Sequence, residues 1–144
     1  MLVVSSAGNG DEITGLGLRG ATRPANCAGV LAVTGLNERG YKARYANLIQ
    51  ADGVRTYGLA VAAGDTDGSS LHYLTDSGIV TQIYDDSIGL FHLAATAGTS
   101  LAAPQAAAVA AMMLAADPSL SVDDLLWALT RKVSPFKEYP GLAV

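Results

Sequence analysis

Charged residues are scarce in this chain of 144 residues: Asp, Glu, Lys and Arg make up 15% of it, whereas 50% of it is hydrophobic. A typical soluble domain carries about 25% charged residues. The composition therefore predicts apolar surfaces that are meant to pack against sequence outside this chain. The net charge of −4 comes without runs of like charge, which gives no sign of a nucleic-acid partner.

Cysteine occurs once, at Cys27, so no disulfide can form within the chain. Two interpretations of this thiol stay open: it is buried, or its partner lies in sequence outside the chain. No signal peptide is visible, because Met1-Leu2-Val3-Val4 has no basic region and is too short.

One uncharged stretch, from Ser87 to Ala116, is long enough for a membrane span. We predict that it does not cross a membrane. Gly98, Ser100 and Pro104 interrupt it, and alanine dominates where a membrane helix favours leucine and isoleucine. Small side chains around a whole helix instead favour close burial between packed layers.

Apolar runs at Leu2–Ser6 and Gly29–Thr34 predict parallel strands that are covered on both faces. Shorter strands are expected as well, together with a hairpin around Asp76-Ser77-Gly78. The strands are predicted at Lys42–Asn47, Leu59–Ala63 and Leu90–Ala95, and the hairpin within Leu71–Ile83.

Two helices are expected towards the C-terminus. The first covers Ala102–Ala116, with Pro104 in its first turn, where the missing N–H costs no hydrogen bond. The second begins after Ser121, which is predicted to be its N-cap. Apolar residues recur on one face of this second helix, namely Val122, Leu125, Leu126 and Leu129.

Ser100 is placed where a nucleophile would work, at the N-terminus of the predicted alanine-rich helix. Unpaired backbone N–H groups and the positive end of the helix dipole surround its hydroxyl and would stabilise a negatively charged tetrahedral intermediate. The alternative interpretation is a serine that only caps the helix.

Three blocks of sequence carry a family resemblance in the same order and spacing. Gly98-Thr99-Ser100-Leu101-Ala102-Ala103-Pro104 closely resembles the nucleophile motif of subtilisin-like serine proteases (peptidase S8). Val3-Val4-Ser5-Ser6-Ala7-Gly8-Asn9 resembles the strand that ends in the oxyanion-hole asparagine. Pro24-Ala25-Asn26-Cys27 and Gly29-Val30-Leu31-Ala32-Val33 resemble the entry loop and the next strand.

The resemblance implies an α/β, three-layer subtilisin-like fold with a mostly parallel sheet, of which only the C-terminal half is present. Residues 1–131 would belong to this half-domain, and 132–144 would form a C-terminal tail. The resemblance also aligns Pro24 with a proline that follows a cis peptide bond in subtilisins.

The resemblance assigns roles to six residues. Ser100 would be the nucleophile, and Asn9 would donate to the oxyanion beside the Ser100 backbone N–H. By itself, Asn9-Gly10 would only indicate a turn. Substrate-binding positions are implied at Ser6, Ala7 and Gly8, whose backbone just before the asparagine lines the pocket, and, as a weaker candidate for the pocket wall, at Thr22.

The general base is not recognisable in this chain. In the family the catalytic residues run in the order Asp, His, Ser, and both the Asp and the His precede the asparagine block. Neither His72 nor His92 has the family's His-Gly-Thr setting. We therefore expect a nucleophile without its base, and an N-terminal half of the domain as the missing partner.

The function implied is that of a serine endopeptidase acting on polypeptides within a larger domain, inactive as this piece. The alternative is a truncated or degenerate homologue that serves only as a scaffold or binding piece. The family suggests a secreted or extracellular protein and often binds calcium. Asp65-Thr66-Asp67-Gly68 lacks the rest of a calcium-ligand pattern, and we interpret it as a solvated turn; no cofactor is assigned.

Overall fold

A computed structural model describes residues 1–11, 14, 16–49, 57–65 and 74–134. Five strands and two helices follow one another along the chain. They are β1 (Val3–Ser6), β2 (Val30–Leu36), β3 (Tyr57–Ala62), β4 (Leu74–Asp85), β5 (Leu90–Thr96), α1 (Thr99–Ala116) and α2 (Val122–Arg131).

The first three strands form a parallel sheet in the order β1-β2-β3. The central strand β2 is buried along almost its whole length, as its continuous apolar sequence predicts. Its side chains alternate between two cores: Leu31 and Val33 face the helices, whereas Ala32 packs with Ala7 and Ala25 on the other side. The sheet is therefore covered on both faces at β2.

Both helices pack on the same face of the sheet. Helix α1 contributes Ala102, Ala106 and Ala110, which are spaced four residues apart and so form one stripe. Their small side chains allow the helix to lie close to β1 and β2. Helix α2 closes this core with Leu126 and Leu129.

Helix α1 differs from the prediction in two respects. It begins at Thr99 rather than Ala102, so Pro104 lies in its second turn and removes a backbone N–H that would otherwise bond to the Ser100 carbonyl. Burial all around the helix was also expected, but only one stripe is buried. The opposite face exposes Met112 and Val109 to solvent.

By length and composition, α1 is the one helix in the described part of the chain that could cross a membrane. Burial of its alanine stripe against β1 and β2 shows that it also serves as a core helix of this fold.

The predicted strand at Lys42–Asn47 is wrong. The pairing of β1 with β2 ends at Val33, and the segment meets β2 beyond that point: Lys42 forms an antiparallel bridge with Leu36, and the Ala43 N–H donates to the Gly35 carbonyl. A turn at Arg44 and Tyr45, in which the Ala46 N–H donates to the Ala43 carbonyl, then ends this pairing, and the segment continues as a loop.

The predicted hairpin around Asp76-Ser77-Gly78 is also wrong, because β4 continues through these residues. The turn instead lies between Asp85 and Leu90, where the Asp85 carboxylate accepts hydrogen bonds from Ser87 and Gly89 adopts φ 66°. At Gly78 the register with β5 shifts, and a Cβ there would lie 2.6 Å from the Thr96 nitrogen. Glycine permits close backbone approach at this position, not a turn. Residues 71–73 lie outside the described residues.

Helix α2 is confirmed as predicted. The Ser121 side chain accepts from the Asp124 N–H, and the Asp124 carboxylate accepts from the Ser121 N–H, which completes a capping box. The Ser121 hydroxyl also donates to the Asp124 carboxylate, and this bond, together with that from the Ser121 N–H, lowers the pKa of Asp124. The cap fixes where the helix begins and thereby directs Leu125, Leu126 and Leu129 into the core.

Leu31→Ala is expected to lower the free energy of unfolding by about 2–5 kcal/mol, because Leu31 is 0% exposed and truncation leaves a cavity between β2 and α1. Leu90→Ala, at a strand position that is 63% exposed, is the matched control and should change it by less than about 0.5 kcal/mol. Urea denaturation of the 144-residue chain measures both. Equal losses in the two variants would contradict this core.

Candidate active site

Ser100 lies in the first turn of α1, and its side chain is exposed. The turn before it is fixed by Gly98, whose N–H donates to the Ala63 carbonyl at the end of β3. Gly98 is also the N-cap and has no side chain to bond the first helical N–H groups. The Thr99 N–H bonds to Asn9 and the Leu101 N–H to the Gly98 carbonyl, whereas the Ser100 N–H makes no hydrogen bond among the described residues and remains as a donor, as an oxyanion site requires.

Asn9 is held against this turn by Thr99. The Asn9 Oδ1 accepts two hydrogen bonds, one from the Thr99 N–H at 2.9 Å and one from the Thr99 Oγ1 at 2.7 Å. Thr99 is 1% exposed, and its Oγ1 also accepts from the Gly8 N–H at 3.2 Å. Two donors on one atom identify that atom as the oxygen of the amide. The amide nitrogen Nδ2 consequently points the other way.

The hydroxyl of Ser100 and the Nδ2 of Asn9 both lie beside Gly98. A Cβ built on Gly98 would lie 3.1 Å from the Ser100 Oγ and 3.6 Å from the Asn9 Nδ2. The distance between the Ser100 Oγ and the Asn9 Nδ2 therefore cannot exceed the sum of these two distances. At this separation one carbonyl group can contact both atoms, with its carbon next to the hydroxyl and its oxygen next to the amide nitrogen.

Three of the four predicted substrate-binding residues lie together beside Asn9. The Thr22 N–H donates to the Ala7 carbonyl at 2.9 Å, and the exposed Thr22 side chain lies beside Gly8, where a Cβ would be 2.7 Å from its Oγ1. Gly8 has φ 106°, so glycine is required there. Ala7 points its methyl group into the core. Ser6 ends β1 and is half-buried.

The predicted cis peptide bond between Arg23 and Pro24 is confirmed. It lies in the loop that leads from Thr22 into β2. Cys27, three residues later, is an exposed free thiol, so the interpretation of Cys27 as a buried thiol is wrong.

His92 makes no hydrogen bond to Ser100 in the described part of the chain. It lies on β5, paired with Ile83, and its buried Nδ1 has no hydrogen-bond partner among the described residues. Thr96, at the strand end, is four positions further along the chain, a rise of about 13 Å. His72 lies outside the described residues.

The interpretation of residues 65–68 as a solvated turn is wrong for Asp65, which is buried. Its carboxylate accepts hydrogen bonds from the Asn37 side chain and from the Arg44 N–H. Thr66, Asp67 and Gly68 lie outside the described residues. Within the described ranges no group of His, Cys, Asp and Glu is arranged to hold a metal ion.

Sequence reasoning missed the loop that supports the site, residues 41–49. Within it, Lys42 donates to the carbonyls of Ala43 and Ala46. Burial lowers the pKa of Lys42, and the nearby Asp65 carboxylate opposes this effect. The sequence predicted a strand here, and only the long-range contacts of the folded chain identify the segment as a support.

Tyr45 links this loop to the nucleophile turn. It is 2% exposed, and its hydroxyl lies 3.0 Å from the Ala63 carbonyl, the same oxygen that accepts from the Gly98 N–H. Burial raises the pKa of Tyr45, and the negative charge of Asp65 raises it further. The hydroxyl therefore stays protonated and acts as a fixed donor beneath the turn.

The raised pKa of Tyr45 predicts alkaline destabilisation. The unfolded chain loses the tyrosine proton near pH 10, whereas the folded chain keeps it, so stability falls as pH rises, by up to about 1.4 kcal/mol per pH unit. Lys42 has the opposite sign: its lowered pKa makes stability rise with pH only up to its unfolded value of 10.5.

Denaturation of Tyr45→Phe and the parent chain above pH 10.5 isolates the tyrosine effect. The variant should lose stability less steeply with pH than the parent. Tyr84→Phe, at an exposed position, is the control and should follow the parent. Parallel curves for Tyr45→Phe and the parent would contradict the buried hydroxyl.

Comparison with protein families places this geometry in context. The family model described as "Subtilase family" (Peptidase_S8) matches residues 1–135. No curated protein matches the chain significantly. The match ends near the last described residue, so the boundary of a tail at 132–144 stays a prediction.

Solved structures of proteases resemble the chain. A protease from Pseudoalteromonas arctica PAMC 21717 is 27% identical with a TM-score of 0.71, over 94% of this chain and 36% of that protein. Sphericase is 19% identical with a TM-score of 0.58, over 92% of this chain and 39% of that one. A lanthipeptide protease is 22% identical with a TM-score of 0.58, over 87% of this chain and 40% of that protein. The chain thus spans little more than a third of the length of these proteins.

Proposed function

Since the chain belongs to the subtilase family, we propose that it supplies the nucleophile and the oxyanion hole of a serine endopeptidase. Its fold is subtilisin-like, and its family acts on polypeptides. One observation carries the proposal: the Ser100 hydroxyl and the Asn9 amide nitrogen both lie beside Gly98. They are 3.1 Å and 3.6 Å from the position that a Cβ on Gly98 would occupy.

The proposed reaction is acyl transfer through Ser100. Its Oγ attacks the carbonyl carbon of the scissile peptide bond, and the hydroxyl proton passes to a general base. The Asn9 Nδ2–H and the Ser100 N–H donate to the oxyanion that forms. The protonated amine then leaves, and water hydrolyses the ester to free acid and regenerate the hydroxyl. Substrate backbone is proposed to lie along Ser6, Ala7 and Gly8, with Thr22 at the pocket wall.

We further propose that the Asp and His of the catalytic triad come from sequence outside this chain, in the N-terminal half of the same domain. The exposed apolar face of α1, with Val109 and Met112, needs cover. Strand β1 pairs only with β2 in the described part of the chain, which leaves one edge for a further parallel strand. We assign this surface to protein, not to membrane or nucleic acid, and expect an extracellular location as is usual for the family.

A non-catalytic role is the second candidate. No hydrogen bond joins His92 to Ser100 in the described ranges, and the chain covers only 36% of the Pseudoalteromonas arctica protease. A homologue of this kind would keep the scaffold and the substrate-contacting loops without chemistry.

Labelling with a serine-directed fluorophosphonate separates the two candidates. It would be applied to the 144-residue chain and to an extended chain, defined as this chain joined to the sequence its gene encodes upstream of Met1. We expect labelling of the extended chain only, and none after Ser100→Ala, with Ser87→Ala as the exposed control. An extended chain that stays unlabelled would favour the non-catalytic role.

A further inference from the structure

We propose that Asn47 is a positioning residue for Asn9. It lies in the support loop, 38 positions along the chain from Asn9, and it holds the backbone on both sides of Asn9. Through these hydrogen bonds it fixes the direction in which the Asn9 amide nitrogen points. The functional part of this inference rests on the proposed peptidase function, whereas the structural part can be tested without it.

The side chain of Asn47 bonds the residues that flank Asn9. Its Oδ1 accepts from the Gly10 N–H at 2.9 Å, and its Nδ2 donates to the Ala7 carbonyl at 3.1 Å. The Asn47 backbone N–H donates to the Gly8 carbonyl at 3.0 Å. One residue therefore holds the chain immediately before and after Asn9, at three separate points.

The same Oδ1 accepts a second bond, from the Leu18 N–H at 2.7 Å. This bond ties the loop that follows Asn9 to the same side chain. The Asn47 amide thus satisfies two backbone donors and one backbone acceptor in a site that is 0% exposed. Water cannot replace these bonds where it has no access, so the conformation of residues 7–10 depends on Asn47.

Asn47 is itself rigidly held. The Thr34 Oγ1 on β2 donates to the Asn47 carbonyl at 2.6 Å, and Thr34 is also buried. A Cβ on Gly8 would lie only 2.5 Å from the Asn47 Nδ2, so the turn packs directly against the amide. Asn47 thus connects strand β2 to the turn at residues 7–10. Asn9, within this turn, is connected in the same way to helix α1 through Thr99.

The chemistry of the contacts requires an amide at position 47. An amide offers an acceptor oxygen and a donor nitrogen at the end of one short side chain. Alanine removes both groups. An ionised aspartate keeps acceptor oxygens for Gly10 and Leu18 but has no hydrogen to donate to Ala7. Asn47→Asp therefore removes only the hydrogen bond to Ala7, whereas Asn47→Ala removes all three side-chain hydrogen bonds.

The structural test uses the isotope-labelled 144-residue chain and amide hydrogen exchange by NMR. In Asn47→Ala, exchange at Gly10 and Leu18 should be about tenfold faster, because each N–H loses its buried acceptor. The Thr99 N–H, which bonds to Asn9 and does not touch Asn47, should also exchange faster, and the side-chain amide signals of Asn9 should shift. Ala32 in β2 serves as the reference for global opening.

Asn37→Ala is the matched control, since it removes another buried amide, which accepts from the Arg39 and Tyr41 N–H groups and makes no hydrogen bond to residues 7–10. Exchange at Thr99 and the Asn9 signals should then match the parent chain. If Asn47→Ala does not fold, Asn47→Asp is compared in the same way, and it should keep Gly10 and Leu18 protected while the Asn9 signals shift. Asn9 signals and Thr99 exchange equal to those of the parent in the folded variant would overturn the proposal.

The functional test is a double-mutant cycle in the extended chain. Asn47→Asp should lower kcat about tenfold with KM little changed, and it should have no further effect once Asn9→Ala is present, because it acts through Asn9. An equal loss with and without Asn9 would overturn the positioning role. An extended chain with no activity would refute the peptidase function alone, and the exchange experiment would still decide whether Asn47 positions Asn9.

Discussion

The 144-residue chain by itself is expected to cleave peptides no faster than the uncatalysed background, and the extended chain to cleave them at least about a million times faster. The serine hydroxyl is a poor nucleophile while it keeps its proton, and no hydrogen bond links a histidine to Ser100 in the described ranges. The magnitude is the loss in kcat known from removal of the histidine in subtilisin, about 10⁶.

Turnover of a chromogenic peptide at equal concentrations of the two chains measures this difference. Ser100→Ala in the extended chain should lower the rate by about 10⁶, whereas Ser87→Ala, in the exposed β4–β5 turn, should keep the full rate. Cleavage by the 144-residue chain that requires Ser100 and proceeds at protease-like rates would contradict the proposal that the base lies outside it.

Asn9→Ala in the extended chain should lower kcat by about 10²–10³ with little change in KM. Loss of one oxyanion donor has this effect in subtilisin, from which the magnitude is taken. In the proposed mechanism the Asn9 amide donates to the substrate oxygen as charge develops on that oxygen, so the variant should destabilise the transition state more than the bound substrate.

Steady-state kinetics of Asn9→Ala and of the control Asn26→Ala measure this effect. Asn26 lies in the loop after the cis bond and takes no part in the proposed oxyanion hole. A large rise in KM with kcat unchanged would mean that Asn9 binds substrate and does not stabilise the oxyanion.

Features that depend on neighbouring residues were predictable from the sequence. Ser121 caps α2 because the acceptor and the donor of the capping box are three residues apart. The apolar run from Val30 onwards forms a buried strand because it has no polar face. The motif around Ser100 places the serine at a helix N-terminus for the same local reason.

Features that depend on distant residues were not predictable. Lys42–Asn47 was predicted to be a strand, but a turn at Arg44 and Tyr45 ends its short pairing with β2, so the segment becomes a support loop. The role of Asn47 depends on backbone groups of Ala7, Gly8 and Gly10, and no local pattern indicates such a contact. Asp65 was expected in water for the same reason, although Asn37 and Arg44 bury it.

The outer face of α1 shows a different limit. Its all-round apolar sequence predicted burial on every side, whereas the structure buries the stripe of Ala102, Ala106 and Ala110 and leaves Met112 71% exposed. Composition alone does not say which face of an apolar helix packs against the sheet, because that depends on residues far away in the sequence.

Trapping the covalent intermediate tests the central claim most directly. A peptide ester would be mixed with the extended chain, quenched in acid within the first turnover, digested and analysed by mass spectrometry. We predict that the acyl group is found on the peptide containing Ser100, and that Asn9→Ala accumulates it more slowly. Acylation of a different residue, or rapid cleavage without any acyl group on Ser100, would contradict the account.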